Sequence, residues 1–159
     1  MRGFSIVEIL VSVAVLIVSF VSILTAFQAG LRHGRGSIEN VQAAALAEEG
    51  IETMTTLRDA GWNNVSSLET ETEYDLRFNG TQWETTETPQ VIDSVFRRTV
   101  AVSEVYRRDS DKDILPSNSP DAKSVDAGTK KVTVSVSWAT TTPPGKERIM
   151  ETYLMSLFE

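Results

Sequence analysis

No cysteine occurs in the 159 residues, and histidine occurs once, as His33. A disulfide-stapled scaffold is therefore excluded, and redox chemistry says nothing about compartment. A single histidine with no cysteine also rules out Cys/His metal clusters and any histidine-based nucleophilic triad in the residues that follow it. The first proline is Pro89, so nothing before it can be kinked by proline. Charge is missing from the whole stretch Ile9 to Phe27, where Ser12, Ser19, Ser22 and Thr25 are the only polar residues.

That charge-free stretch is otherwise dominated by aliphatic residues. About 20 apolar residues at ~1.5 Å each cover the ~30 Å hydrocarbon layer of a bilayer, so the run reads as a membrane-spanning helix. Its hydroxyls can bond back to their own helix carbonyls and so cost little in lipid. The run is longer than the apolar region of an ordinary secretory signal. Ala26 and Ala29 supply small residues at the spacing of a cleavage site, which leaves signal-peptidase processing open. The unexpected residue is Glu8. A carboxylate at the head of a span is expensive, and such residues are usually functional.

Before Glu8 stand Met1-Arg2-Gly3-Phe4-Ser5-Ile6-Val7, a short basic leader ending in glycine and followed at once by an aromatic residue. Gly3-Phe4-Ser5-Ile6-Val7-Glu8 resembles the processing signal of type IV prepilins and type II secretion pseudopilins. The resemblance implies a prepilin peptidase that removes residues 1–3, cutting between Gly3 and Phe4 and methylating the new Phe4 amine. It further implies that residues 4–31 form the transmembrane and filament-core helix and that residues 32–159 form an extracytoplasmic domain. Glu8 matches the family's acidic position, where a neighbouring subunit's Phe4 ammonium would neutralise it; a buried carboxylate needs such a partner. The expected partners are other pilin or pseudopilin subunits, the peptidase and an assembly platform in the bacterial inner membrane. The amino terminus would face the cytoplasm. Charge counting alone leaves orientation open, because Arg2 precedes the span while Arg32 and Arg35 follow it.

The formal net charge is −7; residues 1–35 carry +2, so residues 36–159 carry −9. A domain that acidic is poorly suited to nucleic-acid backbones. Gly30, Gly34 and Gly36 surround Arg32, His33 and Arg35, and glycine costs a helix roughly 1 kcal/mol per site. Bending or fraying is expected there. Helical character resumes over about 37–60, with Ala47, Ile51, Met54 and Leu57 as an apolar stripe and Glu48, Glu49 and Glu52 on the wet side. Ala45-Leu46-Ala47-Glu48-Glu49-Gly50-Ile51-Glu52 is similar to the same stretch of minor pilins and minor pseudopilins of the PilV and I-subunit kind. Gly61 and Asn63-Asn64 end the helix.

From Ser66 the period falls to two. Tyr74–Phe78 and Thr81–Glu84 flank Asn79-Gly80, a strong hairpin signal. Val95–Arg107 is expected to point Phe96, Val100, Val102 and Tyr106 inward and Arg97, Arg98 and Arg107 outward, where these arginines and Arg108 would meet acidic neighbours or another subunit. Arg108 to Gly128 reads as a polar loop, Lys131–Thr140 as the cleanest strand, Thr142-Pro143-Pro144-Gly145 as a turn, and Arg148–Leu157 as the last strand. The fold class expected is α+β: a long amino-terminal helix packed on a carboxy-terminal antiparallel sheet.

Asp109-Ser110-Asp111-Lys112-Asp113 places Asp109, Asp111 and Asp113 at alternate positions, as calcium loops do, with Asp121 and Asp126 following. The glycine and distal glutamate of an EF-hand are absent. Calcium is thus the one candidate cofactor, set against a solvated acidic loop. No residue pattern marks a catalytic site. The expected function is a structural filament subunit, with two alternatives: a filament-tip binding module, or a single-pass membrane protein that never polymerises.

Overall fold

The computed structural model describes residues 5–139 and 145–157. Helix α1 runs unbroken from Ile6 to Ala60, 55 residues. No fraying occurs at Gly30, Gly34 or Gly36, contrary to the sequence expectation. Three glycines lower helix propensity by a few kcal/mol, but the long helical segments on either side keep the ladder closed once the helix is nucleated. The chain divides into two compact units, residues 1–41 and 42–159.

In the first unit the large apolar side chains of α1 are exposed; Phe20, for example, is 69 % exposed. The helix is long and apolar enough to cross a membrane. Its hydroxyls behave as helix physics requires. Ser12 donates to the Glu8 carbonyl, Ser19 to Val15, Ser22 to Val18 and Thr25 to Val21, each at 2.8 Å. No hydroxyl in the run is left without an acceptor, which is the condition for burying it in hydrocarbon.

In the second unit, a short helix α2 (Asn63–Ser66) follows α1, and seven strands form one sheet. They are β1 (Tyr74–Phe78), β2 (Trp83–Thr86), β3 (Val91–Ile92), β4 (Phe96–Arg108), β5 (Ile114–Leu115), β6 (Lys123–Trp138) and β7 (Lys146–Met155). The main order is β2-β1-β4-β6-β7, all antiparallel, with β3 and β5 pairing to β4. The core forms where α1 meets one face of this sheet. Ala43, Ala47 and Met54 pack with Phe96, Val100, Val102, Val132, Val134, Val136 and Trp138, all buried. An α+β architecture of a long helix on an antiparallel sheet is what the structure shows.

The buried helix stripe is Ala43, Ala47, Gly50 and Met54, so it sits slightly off the expected line; Ile51 and Leu57 are only half-buried at its flank. Gly50 explains the offset. A Cβ there would lie 2.7 Å from Val134 Cγ1 and 3.1 Å from Arg98 Cδ, so the helix approaches the sheet through its smallest residue. The hairpin between β1 and β2 turns at Asn79-Gly80, with Gly80 at φ +97° and the Asn79 side chain accepting from the Thr81 and Gln82 amides at 3.1 Å. The expected partner strand begins later, at Trp83, because residues 79–82 are all used in the turn.

Four expectations for the sheet need correction. Tyr106 is half-buried, and Val105 takes the inward position instead. The register between β4 and β6 jumps from Glu104↔Lys130 to Val105↔Asp126, and such an irregularity resets which alternate residues face the core. Arg98 does not belong to the exposed face; its alternation with Phe96 and Val100 carries it inward. The polar loop after Arg108 is shorter than expected, since β5 pairs with Tyr106 and Arg107 and β6 already begins at Lys123. The last strand starts two residues early, at Lys146. The expected turn at Thr142-Pro143-Pro144 lies outside the described residues.

Candidate functional site

The expected processing residues Gly3 and Phe4 also lie outside the described residues. Glu8 falls in the first turn of α1, exposed, with its amide donating to the Ser5 carbonyl at 3.0 Å. A carboxylate in the first turn is favoured by the positive end of the helix dipole. Ile6 precedes it and Ile9, Val13, Leu16, Ile17 and Phe20 follow it on the same helix, all substantially exposed. The arrangement is one charge at the head of a charge-free, mainly apolar helix long enough to cross a membrane.

The acidic loop is organised around a cation of its own. Arg108 Nη1 reaches Asp111 at 2.6 Å and Asp113 at 3.8 Å, and its Nε reaches Asp121 at 2.9 Å. Asp111 also accepts the Asp113 amide at 3.1 Å. That amide, and after it Arg108, hold the Asp111 carboxyl below the usual carboxylate range, while Asp111 and Asp121 raise the Arg108 guanidinium. Among the described residues no group of three Asp, Glu, His or Cys side chains is disposed to hold a metal ion. Asp109 takes part through its backbone, its amide donating to the Ala122 carbonyl at 3.1 Å. Of the three candidate ligands, Asp111 and Asp113 are thus gathered by a guanidinium.

Arg97 and Arg107 find acids of their own. Arg97 Nη2 meets buried Asp75 at 2.8 Å, and Asp75 also accepts the Gln90 amide at 2.9 Å. Arg107 Nε lies 2.5 Å from Asp126, which also accepts from Thr129 Oγ1 at 2.8 Å and the Gly128 amide at 3.0 Å. Arg107 foremost, then Thr129, lower the Asp126 carboxyl. At the register jump residues 127–129 have no partner on β4, and Gly128 and Thr129 donate to the Asp126 side chain.

Sequence reasoning missed the pairing of Arg98 with Glu49. Arg98 is 3 % exposed, with Nη1 3.1 Å from Glu49 Oε2 and 3.2 Å from the Leu46 carbonyl, and its guanidinium 5.4 Å from the Trp83 ring centre. Its Nε is buried without a hydrogen-bond partner. The available signal was the alternation itself, which places Arg98 in phase with Phe96 and Val100.

A cleft of about 690 Å³ opens over the irregular end of β4. Ser103, Tyr106, Lys131 and Tyr153 contribute to it, along with Glu71, whose φ is +62°. A second cleft, of about 430 Å³, lies at the end of α1 against the Phe78–Trp83 ring pair, 5.5 Å between centroids. The protein's only histidine, His33, lies in the first unit, on α1.

No protein-family model, curated protein or solved structure matches this chain.

Proposed function

We propose that the protein is a structural subunit of a type IV pilus or type II secretion pseudopilus, of the minor pilin or minor pseudopilin kind. The observation that carries the reading is the position of Glu8. It is a lone carboxylate in the first turn of an exposed apolar helix, five residues after a glycine, and the helix continues unbroken to a domain of antiparallel sheet.

In this reading the helix from Phe4 to about Leu31 holds the subunit in the inner membrane, and cleavage after Gly3 frees a charged amine at Phe4. Assembly moves the helix from lipid into a filament core, where the apolar residues from Ile6 to Phe20 exchange lipid contacts for neighbouring helices. A Phe4 ammonium paired with Glu8 of an adjacent subunit sets the axial register, and a pair buried in that core is lost at a cost of roughly 3–5 kcal/mol when one partner is removed.

The test is Glu8→Ala in the native machine. The domain should fold, and the variant should still be found in membranes and processed, yet it should be depleted from sheared filaments or from the cross-linked pseudopilus fraction. Normal incorporation of E8A would remove the basis of the proposal.

A further inference from the structure

Where the charge-free run ends, Gln28, Arg32 and Arg35 succeed one another at four- and three-residue spacing on α1, and with Leu31 they line an open cleft of about 350 Å³. Residues at these spacings share one helix face, with Cβ atoms about 5–6 Å apart. The two guanidinium groups can therefore address a single anion, and each offers the fork of N–H donors that fits phosphate oxygens.

Depth selects the anion. Taking Ile9 to Phe27 as the hydrocarbon segment, a rise of ~1.5 Å per residue places the Arg32 backbone about 7.5 Å beyond it and the Arg35 backbone about 12 Å. The headgroup layer occupies roughly 5–8 Å on each side of the hydrocarbon core. Helical side chains lean toward the amino terminus, here back toward the apolar run, and arginine stems extend further in that direction by snorkelling. Both guanidinium groups thus reach headgroup depth, and Leu31 supplies an apolar wall where acyl chains begin. The face changes sign at Glu39, four residues past Arg35, which fixes the outer limit of the basic patch.

We infer that this cleft binds the phosphate of an anionic phospholipid headgroup, with Arg32 and Arg35 as its cationic ligands and Gln28 as a neutral donor. The inference rests on reading α1 as a membrane span. It deepens the proposed function by naming what holds the subunit in the bilayer pool and what must be released before the helix can leave lipid.

The experiment uses the full chain, incorporated into vesicles of phosphatidylcholine alone or mixed with phosphatidylglycerol, then extracted in mild detergent with its bound lipid quantified. Wild type should float with both vesicle types and retain phosphatidylglycerol above its bulk proportion. Each Arg→Gln change should lower that preference about fivefold, and R32Q/R35Q should retain lipid in the bulk proportion while still floating. Equal phosphatidylglycerol retention by wild type and the double variant, or no preference in wild type, overturns the site and leaves the span intact. Failure to float with either vesicle overturns the span and the site together. Loss of the preference on adding inorganic phosphate at constant ionic strength would show a site for free phosphate, and would overturn the lipid assignment.

Discussion

Glu49 on α1 and Arg98 on β4 meet at 3.1 Å, with the arginine side chain 3 % exposed and the glutamate 45 %. The two ends of this ion pair are therefore not equivalent. Removing the carboxylate strands a buried guanidinium whose Nε is already unsatisfied. Removing the guanidinium leaves a carboxylate that water can reach. Glu49→Ala should cost about 2–3 kcal/mol, whereas Arg98→Met, which keeps an unbranched stem against the core, should cost about 1 kcal/mol. Urea unfolding of residues 37–159 measures both. Equal losses, or a larger loss for R98M, would contradict this asymmetry.

Gly50 fills the closest approach between α1 and β6. Gly50→Ala gains up to about 1 kcal/mol of helix propensity but must move Val134 or the Arg98 stem, and overpacking of this kind costs about 1–3 kcal/mol. The net result should be destabilisation of about 1–2 kcal/mol. Gly34→Ala, with no atom within 4 Å of the new Cβ, should instead strengthen the helix by up to about 1 kcal/mol. Thermal melts of G50A and helix content of G34A should therefore move in opposite directions.

Stability should decline in acid through identifiable carboxylates. Arg107 lowers Asp126 and Lys131 lowers Glu151, so both bind protons less readily folded than unfolded. Their contribution is complete above the unfolded pKa values and is lost as pH falls through the folded ones. It should be intact above about pH 5 and fall away progressively below about pH 4. Asp126→Asn removes one of these titrations. Its acid limb should be shallower than that of wild type in denaturation followed from neutral pH downward, and an unchanged limb would count against the Arg107–Asp126 pair.

The acidic loop offers a test of calcium. Arg108 already compensates Asp111 and Asp121, so millimolar calcium should leave the wild-type melting temperature in place. Arg108→Ala uncovers those carboxylates beside Asp109 and Asp113. That variant should melt lower and recover partly with calcium, as oxygen-rich loops do when a hard cation replaces a lost charge. A clear calcium shift in wild type would show that the ion competes successfully with the arginine.

Much of this architecture is legible in the sequence because the signals are periodic. Val132, Val134, Val136 and Trp138 alternate cleanly and are buried, and Asn79-Gly80 makes the turn its chemistry specifies. Three features were hidden. The position of Val105 depends on a register jump created by residues 127–129 of another strand, which local alternation in β4 does not encode. Arg98 looked exposed because charge suggests water, yet the neighbouring helix supplied both a carboxylate and a carbonyl. The glycines at 30, 34 and 36 suggest bending or fraying; the helix does not fray there, because propensity is a weak term beside the cooperativity of a 55-residue helix. At the amino terminus, Glu8 stands out by its charge and by its spacing from Gly3 and Phe4, and the role proposed for it calls on an amine from another subunit.

The central claim concerns the first eight residues, and mass spectrometry of the amino-terminal peptide from native membranes tests it most directly. The account predicts a peptide beginning at Phe4 with a methylated amine. A peptide beginning at Met1 would contradict it, leaving a membrane-anchored domain in which no Phe4 amine exists for Glu8 to meet.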